Sequence, residues 1–298
     1  MEIGTLTCPV CRERTSRIKV EHFEGFEILR CEVCDVEFAQ PFKAAPPEDY
    51  EIGYIERYSH PLREIERLKL PFYDGFMDIY TVILKILQSL PPKGKILDAG
   101  CGSGGFLSLL KGMGFQVYGF DISPTAVEMA KKIYELRNVI NCSWEALPPE
   151  WYGFTVITAI EVVEHLEEPL AFVTRMRDLL SENGIFILSV PNRNRLGEKC
   201  VYRIRENYPP YHLTRWSVEA LSALLKKAGF KKIIIKPLAP PTVAIKEQIR
   251  FSLAPYSYWT KIGKLLTRPL SETFGRYLSF FLRHLLWNKG AYLLGIAR

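Results

Sequence analysis

The chain has 298 residues, 48% of them hydrophobic, and a formal charge of +6. That length holds one large domain or a main domain with a small satellite, with ample apolar content for a core. The modest charge excludes a globally basic nucleic-acid binder, no apolar segment behind a basic region marks a signal peptide, and no run of about 18 uncharged apolar residues spans a membrane. Seven cysteines in such a chain point to metal ligands and buried thiols rather than disulfides.

Cys8-Pro-Val-Cys11 and Cys31-Glu-Val-Cys34 repeat a Cys-x2-Cys pair across 19 intervening residues. Each pair puts two thiolates on one tight turn. Four thiolates close a tetrahedral zinc shell with no open position for chemistry, so Cys8, Cys11, Cys31 and Cys34 are expected to hold a structural zinc. Residues 1–42 are too short to build a core of their own, which makes metal the source of their stability. They read as a zinc ribbon, with Pro41 to Pro47 as its linker. Between Cys8 and Phe42 five basic residues stand against seven acidic ones, a poor balance for reading a polyanion.

Residues 43–93 read as a helical linker or lid. Tyr50, Tyr54 and Tyr58 recur at i, i+4 and i+8 and share a helix face, either packing onto the main domain or closing over a ligand. Ile79 to Leu90 predicts an apolar helix stopped by Pro91-Pro92.

From Lys95 strands and helices alternate, the pattern of a parallel α/β sheet, and residues 94–298 form the expected main domain. Strands are predicted at 95–99, 116–120, 139–142, 155–160, 185–190, 231–236 and 291–297. Helices are predicted at 104–113, after Ser123-Pro124, at 170–180, and at 218–228 between the cap Ser217 and Gly229.

The run from Ile96 through Asp98-Ala99-Gly100-Cys101-Gly102-Ser103-Gly104-Gly105 to Leu107 is an apolar strand ending in an acid, a glycine-rich turn and the start of a helix. Glycine admits positive φ and close approach of a ligand, and a helix N-terminus favours a carboxylate or phosphate. Gly100-x-Gly102-x-x-Gly105 also satisfies the dinucleotide fingerprint. An acid two residues before the first glycine, followed by Gly-x-Gly-x-Gly, instead resembles motif I of the class I S-adenosylmethionine (SAM) methyltransferases. A turn that receives a pyrophosphate does not need that acid. Asp121, 19 residues after Gly102, ends the second strand. An acid there accepts hydrogen bonds from ribose hydroxyls, or serves as a charge partner for the next helix.

The resemblance implies a seven-stranded Rossmann-like sheet with an antiparallel last strand and SAM as cofactor. It implies cofactor contacts at Asp98, Gly100, Cys101, Gly102, Gly104 and Asp121, with Ile122 against the adenine. Related enzymes often carry an acid after the third strand; Ser143 stands there in this chain, and a backbone group near Trp144 takes over the contact. Glu161-Val-Val-Glu164-His165-Leu-Glu-Glu-Pro169 resembles the Glu-x-x-Glu-His-x-x-x-Pro segment of the broad ubiquinone O-methyltransferase family. The segment from Tyr211 and His212 to Trp216-Ser217 resembles that family's His-x-x-x-(Phe/Trp)-(Ser/Thr) segment. The resemblance puts Glu161, Glu164, His165 and His212 around the acceptor, with Glu161 also beside the cofactor. Two carboxylates and an imidazole at Glu161, Glu164 and His165 could hold a divalent cation, act as general bases, or only orient loops.

The expected function is SAM-dependent methyl transfer to a small or lipid-like metabolite, at oxygen. An RNA or protein methyltransferase that uses the ribbon to read its substrate is the alternative. The helical insertion at about 244–290 carries eight basic residues against two acidic ones, interleaved with aromatics. It fits a helix lying in a membrane interface, a cap on the sheet, or a homodimer contact. The expected location is cytoplasmic, with the membrane surface as the alternative.

Overall fold

Apolar runs of five to seven residues that alternate with amphipathic helices build a layered sheet. In the computed structural model, residues 6–14, 17–51, 76–90, 94–195, 205–238 and 292–298 are described. In chain order the strands are β1 (Arg17–Phe23), β2 (Phe26–Cys31), β3 (Glu37–Gln40), β4 (Lys95–Ala99), β5 (Gln116–Asp121), β6 (Val139–Asn141), β7 (Phe154–Ile160), β8 (Leu180–Pro191), β9 (Thr214–Arg215), β10 (Ile233–Pro237) and β11 (Tyr292–Ala297). The helices are α1 (Phe76–Gln88), α2 (Gly105–Gly112), α3 (Pro124–Tyr134), α4 (Pro169–Leu179) and α5 (Val218–Lys227). Among the described residues no helix is long and apolar enough to cross a membrane.

The main sheet has seven strands in the order β10-β11-β8-β7-β4-β5-β6. Strands β4 to β8 run parallel, and β11 lies antiparallel between β8 and β10. The expected fold class is therefore the observed one. Period-two alternation sends Leu97, Ala99, Ile157, Phe186 and Leu188 to one face, with α4 and α5. Ile96, Val156, Ile185 and Ile187 go to the other, under α1, α2 and α3. Ser123 and Ser217 cap α3 and α5, accepting from Ala126 N at 3.0 Å and Ala220 N at 3.1 Å.

Two strand starts differ from expectation by two residues or more. Strand β8 begins at Leu180 rather than Ile185, because Leu180 pairs with Phe154 before the register shifts. Strand β10 begins at Ile233 rather than Lys231, because the Lys231 and Lys232 amides both donate to the Arg298 carbonyl.

The N-terminal cysteine module forms a second sheet, β1-β2-β3-β9. Its fourth strand comes from the main domain: Glu37 pairs with Arg215 and Phe38 with Thr214. Cys8, Val10, Val36 and Phe38 join Trp216 and the α4–α5 layer in one apolar cluster. The linker is also tied down. Ala44 N donates to a Glu167 carboxylate oxygen at 2.8 Å, and Ala45 N to the Pro210 carbonyl at 3.0 Å. Residues 47–51 are helical and α1 follows from 76; Tyr54, Tyr58 and the insertion at 244–290 lie outside the described residues.

Candidate functional site

The sheet's strand order reverses between β4 and β7, which opens a crevice beyond their carboxyl ends. The glycine turn between β4 and α2 lies there. Gly100, Gly102 and Gly104 have φ of 71°, 53° and 83°. Gly100 is doubly constrained, since an added Cβ would meet Val162 Cγ2 at 2.6 Å. At Gly104 it would meet Leu136 and Ala130 at 2.6 and 2.8 Å. Gly104 is also the N-cap of α2 and offers no side-chain oxygen. The first N–H groups of α2 are thus left to a ligand.

Two acids flank the turn. Asp98 is buried, accepts a hydrogen bond from the Thr158 hydroxyl at 2.6 Å, and is pushed up to about 7 by burial and by Asp121 nearby. Asp121 accepts from Gly102 N at 2.8 Å and Ser123 N at 2.9 Å, and burial raises it too. A carboxylate has about four lone-pair directions, so these two bonds leave room for ribose hydroxyls. Ile122 is 45% exposed beside it, an apolar surface beside the turn. Ser143 is exposed and caps nothing, whereas Trp144 packs edge-on against Phe172 with centroids 6.0 Å apart. Cys101 is buried against Gly119, where an added Cβ would meet its Sγ at 2.9 Å.

Across the crevice the chain turns sharply after β7. Glu161 has φ 55°, an unusual value for a non-glycine residue. Its amide donates to the Ser189 carbonyl at 3.1 Å and its carboxylate accepts the Ser189 hydroxyl at 2.8 Å. Burial pushes Glu161 up to about 7. A one-turn helix over Val163–His165 then brings Glu164 and His165 side by side. Glu164 is fully buried and neither carboxylate oxygen has a hydrogen-bond partner among the described residues. Burial and the Glu161 charge hold it well above the usual carboxylate range.

The Glu164 carbonyl accepts from Leu213 N at 2.8 Å, which fixes the segment carrying His212. His165 and His212 meet at right angles with ring centroids 4.6 Å apart. His165 Nδ1 lies 2.9 Å from the Tyr211 carbonyl, the geometry of an N–H donor that leaves Nε2 as an acceptor. Desolvation pulls His165 down to about 4 and His212 well below its ordinary value. The ligand atoms of Glu164, His165 and His212 lie within 4.8 Å of one another. His212 joins Glu164 and His165 in this set, while Glu161 hydrogen-bonds Ser189 and lies within electrostatic reach of Glu164.

Three further residues lie at the site: Tyr50, expected on a face that packs or closes over a ligand, and Glu51 and Ser189, which the sequence reading did not mark. Tyr50 packs edge-on against His165 and Tyr211, and its hydroxyl donates to the Tyr211 carbonyl at 3.4 Å. Glu51 accepts from the Ser123 hydroxyl and from Thr125 N at 3.3 Å, which ties residues 47–51 to the Asp121 corner. Ser189 had a legible signal, a hydroxyl inside the apolar run Ile185–Val190.

The cysteine cluster is compact. Cys8 Sγ and Cys34 Sγ are 3.5 Å apart, Cys11 Sγ and Cys31 Sγ 3.7 Å, and all four are buried. Those spacings match the edges of a tetrahedron with metal–sulfur bonds of about 2.3 Å and exceed a disulfide's roughly 2.0 Å. Cys8–Cys11 and Cys31–Cys34 sit on turns of one kind: Arg12 and Asp35 both have φ 63°, and their amides donate to the Cys8 and Cys31 carbonyls.

The methyltransferase-domain family matches residues 73–234, more than half of the chain. Over 110 residues the chain is 37% identical to the ubiquinone biosynthesis O-methyltransferase of Cereibacter sphaeroides, covering 35% of this chain and 44% of that protein. Over 150 residues it is 28% identical to a probable S-adenosylmethionine-dependent methyltransferase of Mycobacterium tuberculosis, covering 49% of this chain and 53% of that one. The chain thus spans about half the length of the curated relatives it matches, or less. A SAM-dependent methyltransferase structure from Archaeoglobus fulgidus aligns with a TM-score of 0.51 at 18% identity, covering 76% of this chain and 95% of that one, a likeness of fold. The family match begins at residue 73, so the cysteine module lies outside it.

Proposed function

This chain belongs to the methyltransferase-domain family, and on that premise we propose that it transfers the methyl group of SAM to a hydroxyl of a small or lipid-like metabolite. The observation that carries the reading is the pairing of an uncapped glycine turn and Asp121 on one side of the crevice with the Glu161–Glu164–His165–His212 mouth on the other. SAM supplies an electrophilic methyl group on a sulfonium. The turn at Gly100, Cys101, Gly102 and Gly104 holds its amino-acid end with backbone donors, Asp98 underpins that turn, and Asp121 takes the ribose. Ile122 covers one adenine face, with Ser143 and Trp144 at its edge.

The acceptor oxygen attacks the methyl carbon in line, the carbon–sulfur bond breaks towards sulfur, and the hydroxyl proton goes to His212 or His165. Both imidazoles are uncharged and can accept a proton, and the desolvation that keeps them neutral also lowers their basicity. Most of the acceleration comes from holding oxygen and methyl at near-attack distance.

A divalent cation at Glu164, His165 and His212 is the second reading, favoured by the Glu164 carboxylate, which has no donor among the described residues. Such a cation would need neutral imidazoles, and the Tyr211 carbonyl behind His165 orients that ring for it. By the same proposal, the module's four thiolates bind one zinc ion.

The name of the Cereibacter relative supports an O-methylated small acceptor, and the module's acidic excess weighs against an RNA acceptor. The test is incubation with methyl-labelled SAM and separated metabolite, lipid, RNA and protein fractions of a cell extract. Label in the metabolite or lipid fraction is expected; label confined to RNA or protein replaces the reading with the macromolecular one.

A further inference from the structure

A polar pocket shares His212 with the methyl-transfer site, and its other lining residues have no part in the proposed methyl transfer. Arg193, Arg195, Asn207, His212, Thr214 and Arg215 line it, with Pro191 and Asn192, and among the described residues no carboxylate lines it. Arginine stays charged at any working pH, and its forked donors match an oxyanion. Two of the three guanidinium groups are oriented from behind by acids of the cysteine module. Arg193 meets Asp35 at 2.5 Å and Glu37 at 3.7 Å, and Arg215 meets Glu21 at 2.8 Å and Glu37 at 3.5 Å. The third, Arg195, is 6% exposed and lies within electrostatic reach of Glu161, Glu164 and His212. His212, a member of the acid–histidine mouth, is also one wall of this pocket.

Thr214 adds an independent sign. Its hydroxyl is buried in the pocket wall with no hydrogen-bond partner among the described residues. A buried hydroxyl left unsatisfied is costly unless a ligand completes it.

We propose that this pocket is the anion subsite of the methyl acceptor, which carries a phosphate or carboxylate group held by Arg195, Arg215 and Thr214 while its hydroxyl is presented beside His212. The proposal rests on the methyltransferase reading and narrows its substrate class to anionic metabolites. It also gives the cysteine module a part in the substrate site. Its acids Glu21, Asp35 and Glu37 fix the arginines, although the module itself contacts no substrate.

The test is calorimetric titration of the full chain, preloaded with S-adenosylhomocysteine. Phenyl phosphate and benzoate are the two oxyanion probes and phenol is the uncharged control. At least one oxyanion is expected to bind while phenol does not, and the one that binds tells phosphate from carboxylate. Thr214→Val and Arg195→Gln are each expected to weaken that binding about tenfold or more, with S-adenosylhomocysteine affinity unchanged. Should Arg195→Gln fail to fold, the nearly isosteric Thr214→Val decides alone. Full oxyanion affinity in the variants, or phenol binding as tightly as both anions, overturns the proposal. Normal S-adenosylhomocysteine binding with no oxyanion binding sinks the subsite alone, whereas failure to bind S-adenosylhomocysteine sinks the methyltransferase reading.

Discussion

Glu37 and Arg215 are joined twice: their backbones are register partners across β3 and β9, and their side chains lie 3.5 Å apart. Glu37 is 4% exposed and also accepts from Arg30 at 2.6 and 3.1 Å. Glu37→Gln removes the charge that these arginines share. Because they are partly solvated, the expected loss is about 1–3 kcal/mol rather than that of a dry ion pair. Denaturant unfolding checks it, and an unchanged midpoint would show that the pairing contributes nothing.

Elemental analysis should find about one zinc per chain, absent from a Cys31→Ala Cys34→Ala variant. The segment from Tyr211 to Arg215 hangs between the module and Glu164. Zinc loss should therefore impair acceptor turnover more than SAM binding, which the proposed site places on β4 and β5. Equal loss of both would mean that the module supports the whole sheet.

Asp121→Ala is expected to weaken SAM by about 1–3 kcal/mol and to leave Gly102 N and Ser123 N without their acceptor. Calorimetry reads it directly. Unchanged SAM affinity, or tighter binding of a nicotinamide dinucleotide, counts against the cofactor site.

Asp98 titrates at about 7 in the fold against an ordinary 3.8. Between those values the native chain keeps a proton that the unfolded chain has lost. The associated stability is present below about pH 4 and disappears as pH rises through 7. The shift corresponds to roughly 4 kcal/mol as an order of magnitude. Asp98→Asn, which cannot ionise, should flatten this part of the stability–pH profile and gain on the wild type above pH 7. Parallel profiles would show that Asp98 is ionised in the fold throughout.

His212→Ala should lower kcat by about 10²–10⁴ if His212 is the base, with SAM binding intact. Under the cation reading, Glu164→Gln should abolish stimulation by added Mg²⁺ or Mn²⁺. A His212→Ala enzyme at full speed, with no cation effect in the wild type, would leave positioning as the mechanism.

The strand, glycine turn and helix from Lys95 to Gly112 were legible because an apolar run, an acid and the glycines specify them locally. The cysteine spacing was equally local. Strand β9 was not legible: two residues, Thr214 and Arg215, carry no period of their own and become a strand only by lying against β3. The acid–histidine set was legible as a list but not as a geometry. Glu161 and Glu164 look equivalent in sequence, yet the positive φ at Glu161 and its bond to Ser189 separate them. Arg195 and Thr214 went unmarked because their significance comes from a pocket wall assembled from distant segments.

The borrowed strand also bears on how the molecule is made. The cysteine turns leave the ribosome early, but the sheet that encloses them lacks its last member until residue 215 has been synthesised. At about 5–20 residues per second the nascent module waits on the order of ten seconds with the β3 edge unpaired and its apolar side uncovered. An unpaired edge invites wrong partners. Early capture of metal by the four thiols would hold the turns closed over that interval, and metal supply during translation would then be a determinant of yield.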